Sequence, residues 1–192
     1  MKKTIALIQK AATGRRVAVL FLVTMSVYLT MLLHTIPSVI AAAPGMKLFD
    51  MSPGGYTTDY AFTLLEAIGP GGRNAYLSTQ LPLDFVYPGL FAVTYSFLLI
   101  WLLGKSFEDS SRIFYFALVP VAAGIFDYLE NIGIIVMIHT FPDLSAGVVK
   151  ITSVLTILKS GFTVAFYILL VIGSFPLIKK RIHGLRKQSE IR

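Results

Sequence analysis

From Ile113 to Ile138 the chain is one apolar run interrupted by two carboxyls and a carboxamide, Asp127, Glu130 and Asn131. At ~1.5 Å per residue such a run is long enough to cross the ~30 Å hydrocarbon core of a bilayer as a helix. On that helix the three polar residues fall within one arc of roughly 100°, so they share a face. A charged group at the centre of a spanning helix costs about 2.5 to 3.5 kcal/mol on insertion scales, which turns this face away from lipid and toward protein or water. The fold therefore has to bring a partner to these residues inside the membrane.

The composition agrees with this reading. Of the 192 residues 55% are hydrophobic and only 14% are charged, against about a quarter charged in soluble domains. The net charge of +7 does not indicate nucleic acid, because the basic residues cluster beside the apolar runs and not along one soluble face. Without cysteine, thiol catalysis, disulfides and thiolate metal sites are excluded. No nucleotide-binding glycine loop, serine-hydrolase turn or internal repeat is present, so no cofactor is implied. His34, His139 and Asp84 are the candidate metal ligands, but they share no ligand spacing, and interface histidines are the commoner explanation.

The apolar pattern predicts an all-α, four-helix transmembrane bundle forming one domain, with spans at about 17–40, 84–104, 113–139 and 148–177. The first run has a rival reading as a cleavable signal ending near Ala41-Ala42-Ala43. Its length of about 24 residues and the following Pro44 favour a retained helix. The outer loop, 41–82, holds a short amphipathic helix over Asp59–Ile68, capped by Thr57 or Thr58 and stopped by Gly69-Pro70-Gly71-Gly72. Its stripe of Tyr60, Leu64 and Ile68 places it on the membrane surface or over the bundle. Ser110 or Ser111 is predicted to cap the third span and Ser145 the fourth, while Pro120 is predicted to bend the third helix by depriving the Phe116 carbonyl of its donor.

Depth follows from counting inward. Glu130 lies nine residues from His139 and Lys159 nine from Lys150, so both sit at about 13 Å from the outer ends of their helices. Thr152, Thr156, Lys159, Thr163 and Tyr167 form a polar stripe on the fourth span. We therefore expect Lys159 to pair with Glu130, Asp127 or both, in a site between the second, third and fourth helices. Two carboxyls and one ammonium leave one negative charge in excess, so either one acid keeps its proton or Arg73 reaches down from the loop. Asp127, Glu130 and Lys159 are the candidate chemical groups. Asn131, Asp84, Arg73, Tyr95 and Thr156 are candidate ligand contacts, with Arg73 at the mouth.

Four elements, Gly69-Pro70-Gly71-Gly72-Arg73 with Tyr76, Asp84 with Pro88 and Tyr95, Asp127-x-x-Glu130-Asn131, and Thr156-x-x-Lys159, together resemble a bacterial family of small integral membrane proteins with four spans. The resemblance covers about residues 60 to 165 and implies no activity. In such proteins an aromatic often follows the fourth-span lysine, where this chain has Ser160. A looser likeness, of architecture alone, is to sterol isomerases and the sigma-2 receptor.

Three functions fit these residues. The first is a binder or enzyme acting on a membrane lipid or small amphiphile, the second a proton-coupled carrier or carrier subunit, and the third a structural protein whose cluster sets helix packing. Membrane lipids are the expected surroundings, nucleic acid is not an expected partner, and self-association is compatible with all three. Lys and Arg number thirteen beside the ends predicted to be inner and three (Lys47, Arg73 and Lys150) beside the outer ones, with Lys159 inside a span. This bias predicts a bacterial plasma-membrane protein with both termini cytoplasmic. A single cysteine near position 55 is expected to react with an impermeant thiol reagent in intact cells, and one near position 186 only after lysis. The reverse pattern would invert the topology.

Overall fold

The computed structural model describes residues 10–106 and 113–189. The predicted cap at Ser110 or Ser111 lies outside them, as do the basic residues Lys2, Lys3, Arg112 and Arg192. The chain is all-α, and among the described residues four helices are long and apolar enough to cross a membrane. We number the helices α1 (Gly14–Ile40), α2 (Thr58–Ala67), α3 (Gly69–Lys105), α4 (Val119–Thr140) and α5 (Ala146–Ser189). A multi-pass membrane protein follows from their length and apolarity. The large side chains left exposed along α1 and α5, such as Leu22, Leu33, Ile151, Val164 and Phe175, are apolar, as a lipid-facing surface requires.

The helix starts follow local chemistry. Thr13 caps α1 by accepting from the Arg16 amide at 3.4 Å, and Thr57 caps α2 by accepting from the Tyr60 amide at 3.2 Å. Gly69 adopts φ +63°, which ends α2. The same Gly-Pro stretch does not open a loop, however, because Pro70 falls in the first turn of a new helix, where its missing amide costs nothing. The expected second span beginning near Asp84 is thus the inner part of a helix that starts at Gly69. Pro120 likewise lies in the first turn of α4, after a 3-10 stretch over Ile113–Leu118, so it starts a helix and does not bend one.

Two other prolines change the helical register. In α1 a π turn covers Met31–Thr35 and ends with the Ile36 amide bonded to the Met31 carbonyl, one residue before Pro37. In α3 a π turn covers Tyr76–Gln80 and ends with the Leu81 amide bonded to the Tyr76 carbonyl, one residue before Pro82. A proline ring clashes with the carbonyl four residues back, and widening the preceding turn relieves the clash.

α4 packs between α3 and α5, and α1 lies against α3. The Thr24 and Thr94 hydroxyls join α1 to α3 at 2.7 Å. Two apolar cores flank the middle of the bundle. The first, called outer after the side to which the 41–82 loop is predicted to face, joins Ala61, Leu64, Leu65 and Ile68 of the α2 segment, with Leu48 and Phe49, to Ile134, Met137 and Ile138 of α4. α2 therefore lies over the bundle, and each of its fully buried leucines contributes about 1.5 to 3 kcal/mol to holding it there. The inner core joins Phe91, Tyr95 and Leu99 of α3 to Ala123 and Phe166.

The α3–α4 approach depends on Gly124, where a Cβ would stand 2.8 Å from the Pro88 carbonyl oxygen. We expect Gly124→Ala to cost about 1 to 3 kcal/mol in thermal or denaturant unfolding in micelles, because backbone has to move. Gly161→Ala, with no neighbour within 4 Å of its Cβ among the described residues, should be neutral or slightly stabilising. Equal effects at the two positions would contradict this packing.

Candidate functional site

α4 and α5 bring their polar faces together at one level. Lys159 Nζ lies 2.5 Å from Glu130 Oε2 and 3.3 Å from Asp127 Oδ1, so one ammonium serves both acids. The spacing explains the geometry, because Asp127 and Glu130 are three residues apart on α4, and Thr156 and Lys159 three apart on α5. The Thr156 hydroxyl donates to Glu130 Oε1 at 2.6 Å, which leaves both oxygens of Glu130 engaged and its side chain fully buried. Asp127 keeps 10% of its side chain exposed. Glu130 is thus locked by two partners, while Asp127 has a free side.

Asp84 enters this network through its backbone. Pro88 has no amide hydrogen, so the Asp84 carbonyl one turn back lacks its helical donor. Asn131 Nδ2 supplies the bond at 2.7 Å. Inside a membrane an unpaired carbonyl is costly, and the Asp84, Pro88 and Asn131 pattern resolves that cost by tying α3 to α4. The Asp84 side chain is then held beside Asp127.

A cavity of about 380 Å³ opens next to these acids, lined by all four long helices and by the turn Phe49–Met51. Asp50, Asp84, Asp127 and Lys159 form its polar part. Along α3, Asp84 is followed by Tyr87, Phe91 and Tyr95 at steps of three and four residues, so beyond the acid the wall is aromatic for about 12 Å. Met25, Tyr28 and Met31 of α1 face the same space. Its volume lies within the range of small-molecule sites.

Asp50 is set in place by the two π turns. The Tyr76 hydroxyl donates to Asp50 Oδ1 at 2.9 Å and Gln80 Nε2 to Asp50 Oδ2 at 3.4 Å, while the Thr35 hydroxyl donates to Gln80 Oε1. Sequence reasoning missed Asp50. Its signal was a lone acid between Phe49 and Met51 in a loop, a pattern that turns inward only because Leu48 and Phe49 are buried in the outer core. On the other side of the cluster the Tyr56 amide donates to Ser153 Oγ at 2.8 Å. Burial, with a smaller contribution from Glu130, holds the Tyr56 phenol above its ordinary pKa, so it stays a neutral hydroxyl.

Of the predicted residues, Asp84, Tyr95, Asp127 and Lys159 line the cavity, whereas Glu130, Asn131 and Thr156 stand behind its wall as the supporting network. The first helix and the Phe49–Met51 turn also line it, which extends the expected placement between the second, third and fourth helices. Arg73 is not at the mouth. Because α3 begins at Gly69, Arg73 is carried eleven residues, about 16 Å, beyond Asp84, where its guanidinium sits 4.4 Å from the Phe141 ring centroid and donates to the Leu65 carbonyl at 2.5 Å. The aromatic wall comes from Tyr87, Phe91, Tyr95 and Tyr167, with no contribution from position 160. His34 and His139 are exposed, and no group of three His, Cys, Asp or Glu that could hold a metal occurs among the described residues.

No protein-family model, curated protein or solved structure matches the chain. The fold and the site define a multi-pass membrane protein with an ion-paired cluster beside a cavity between its helices.

Lys159→Ala is expected to destabilise the protein by about 3 to 5 kcal/mol, since it leaves two buried acids without a counter-charge. Adding Glu130→Gln should restore more of that loss than adding Asp127→Asn, because Glu130 is the closer and more buried partner. Strictly additive losses in both double variants, measured by thermal unfolding, would place the lysine's main partner elsewhere.

Proposed function

We propose that this protein binds a small amphiphile inside the bilayer, with the polar end of the bound molecule beside Asp127 and its apolar body along the aromatic wall. The observation that carries this reading is the cavity itself, acidic where it meets Asp50, Asp84 and Asp127 and apolar from Tyr87 to Tyr95. A cluster serving only helix packing has no need of such a space, and Asp127 alone of the two paired acids borders it. In this reading Lys159 and Glu130 hold Asp127 in position, and Asp127 exchanges a proton with the bound molecule or accepts its polar end. We place the protein in a bacterial plasma membrane with both termini cytoplasmic, on the basic bias of its sequence, so that the acidic end of the cavity lies toward the outer face.

Native mass spectrometry of the protein extracted in a neutral detergent tests this reading. The wild type is expected to retain a small amphiphilic adduct. Thr163→Phe, which adds bulk on the α5 wall at a half-buried position, should lose the adduct while remaining folded. A wild type free of any adduct, or one shared equally by the variant, would count against an intramembrane binding site.

A further inference from the structure

We propose that the polar end of the cavity is an ammonium site, taking the protonated amine of an amphiphile with Asp84 as its main acceptor and Asp50 and Asp127 around it. This assignment rests on the amphiphile-binding reading and names the chemistry of the bound head group. Among the described residues three carboxyls line the cavity, and the one cation beside them, Lys159, is already committed to Glu130 at 2.5 Å and Asp127 at 3.3 Å. The partners of Asp50 are the neutral Tyr76 hydroxyl and Gln80 carboxamide. Among the described residues neither Asp50 nor Asp84 has a cationic partner within ion-pair distance.

Asp84 is the second and independent observation. The residue is 3% exposed and borders the cavity, yet among the described residues its buried Oδ2 has no hydrogen-bond partner. An unpaired buried acceptor of this kind is costly, and what its surroundings call for is a donor, with positive charge strengthening the bond. The Asn131 bond to the Asp84 backbone holds this carboxyl in place, so a donor arriving in the cavity meets a fixed acceptor. An anionic head group finds the opposite conditions. Arg73 is turned away onto Phe141, the charge of Lys159 is already balanced by Glu130 and Asp127, and the carboxyls repel phosphate. The adjoining rings of Tyr28, Tyr87 and Phe91 suit an ammonium as well, since aromatic faces attract cations.

The test uses the full-length protein in nanodiscs of zwitterionic phosphatidylcholine, titrated calorimetrically with octylammonium, octanol and octyl phosphate against empty nanodiscs. Octylammonium is expected to bind the wild type roughly tenfold more tightly than octanol, and octyl phosphate more weakly than either, as a charge-assisted bond predicts. Asp84→Asn should remove that tenfold preference. Should Asp84→Asn fail to fold, the wild-type comparison and Asp50→Asn, which is expected to reduce the preference in the same direction, decide the matter. Equal binding of octylammonium and octanol to the wild type, or a preference for octyl phosphate, would overturn the ammonium site while leaving an amphiphile cavity. A preference for the amine that survives both substitutions would overturn the assignment to these acids. Binding of none of the three would remove the ammonium site and the amphiphile reading together.

Discussion

The structure depends on one ammonium shared by two carboxyls in a low-dielectric bundle. Lys159, Glu130 and Asp127 are each costly to place in a bilayer alone, and only their mutual approach makes the helices that carry them compatible with insertion. That requirement sets the relative height and rotation of α4 and α5. It also divides the labour between the two acids, because the Thr156 hydroxyl occupies the remaining oxygen of Glu130 and leaves Asp127 as the member that faces open space. A buried ion pair is weak ground for claiming stability, since apolar residues of the same shape can do as well. Its place beside a cavity is what the proposed binding role rests on.

A second layer of organisation comes from backbone groups that proline leaves without partners. In hydrocarbon a freed carbonyl has to be satisfied by protein, so each proline obliges some neighbour to respond. At Pro88 the response is Asn131, which reaches from α4 to the Asp84 carbonyl and brings the Asp84 side chain to the cavity. Before Pro37 and Pro82 the response is a widened π turn, and the side chains of those turns meet each other through Thr35 and Gln80. Gln80 and Tyr76 then hold Asp50. The acids of the cavity that lie outside the ion-paired trio are thus positioned through bonds whose origin is a helix irregularity. Such irregularities are frequent at functional sites for this reason.

The two apolar cores give this polar layer its boundaries. The outer core, built around α2 and the Leu48-Phe49 segment, covers the ends of α1, α3, α4 and α5, and the inner core closes the bundle below Tyr95. Between them the helices cannot all pack side by side, because acids, aromatic rings and methionines of four helices face one another across the cavity. The contrast along its wall, acidic at one end and aromatic beyond, is the property an amphiphile-binding space requires.

Much of this was legible in the sequence. The apolar runs specify four spanning helices because only a helix satisfies the backbone of a single segment in lipid, and the three- and four-residue steps of Asp127, Glu130, Thr156 and Lys159 specify which faces carry charge. Counting from the helix ends was enough to set Glu130 level with Lys159, since the helical rise is constant. Tertiary structure decided what local pattern leaves open. Whether Gly69-Pro70 ends a helix or begins one depends on where the following segment packs, and that choice carried Arg73 away from the expected mouth. The inclusion of α1 and of Asp50 in the cavity arises from contacts between residues such as Thr35, Asp50, Tyr76 and Gln80, which are distant along the chain and become neighbours only when two widened turns and a buried loop meet. Periodicity reports the direction of a side chain relative to its own helix, and not the identity of what stands across from it.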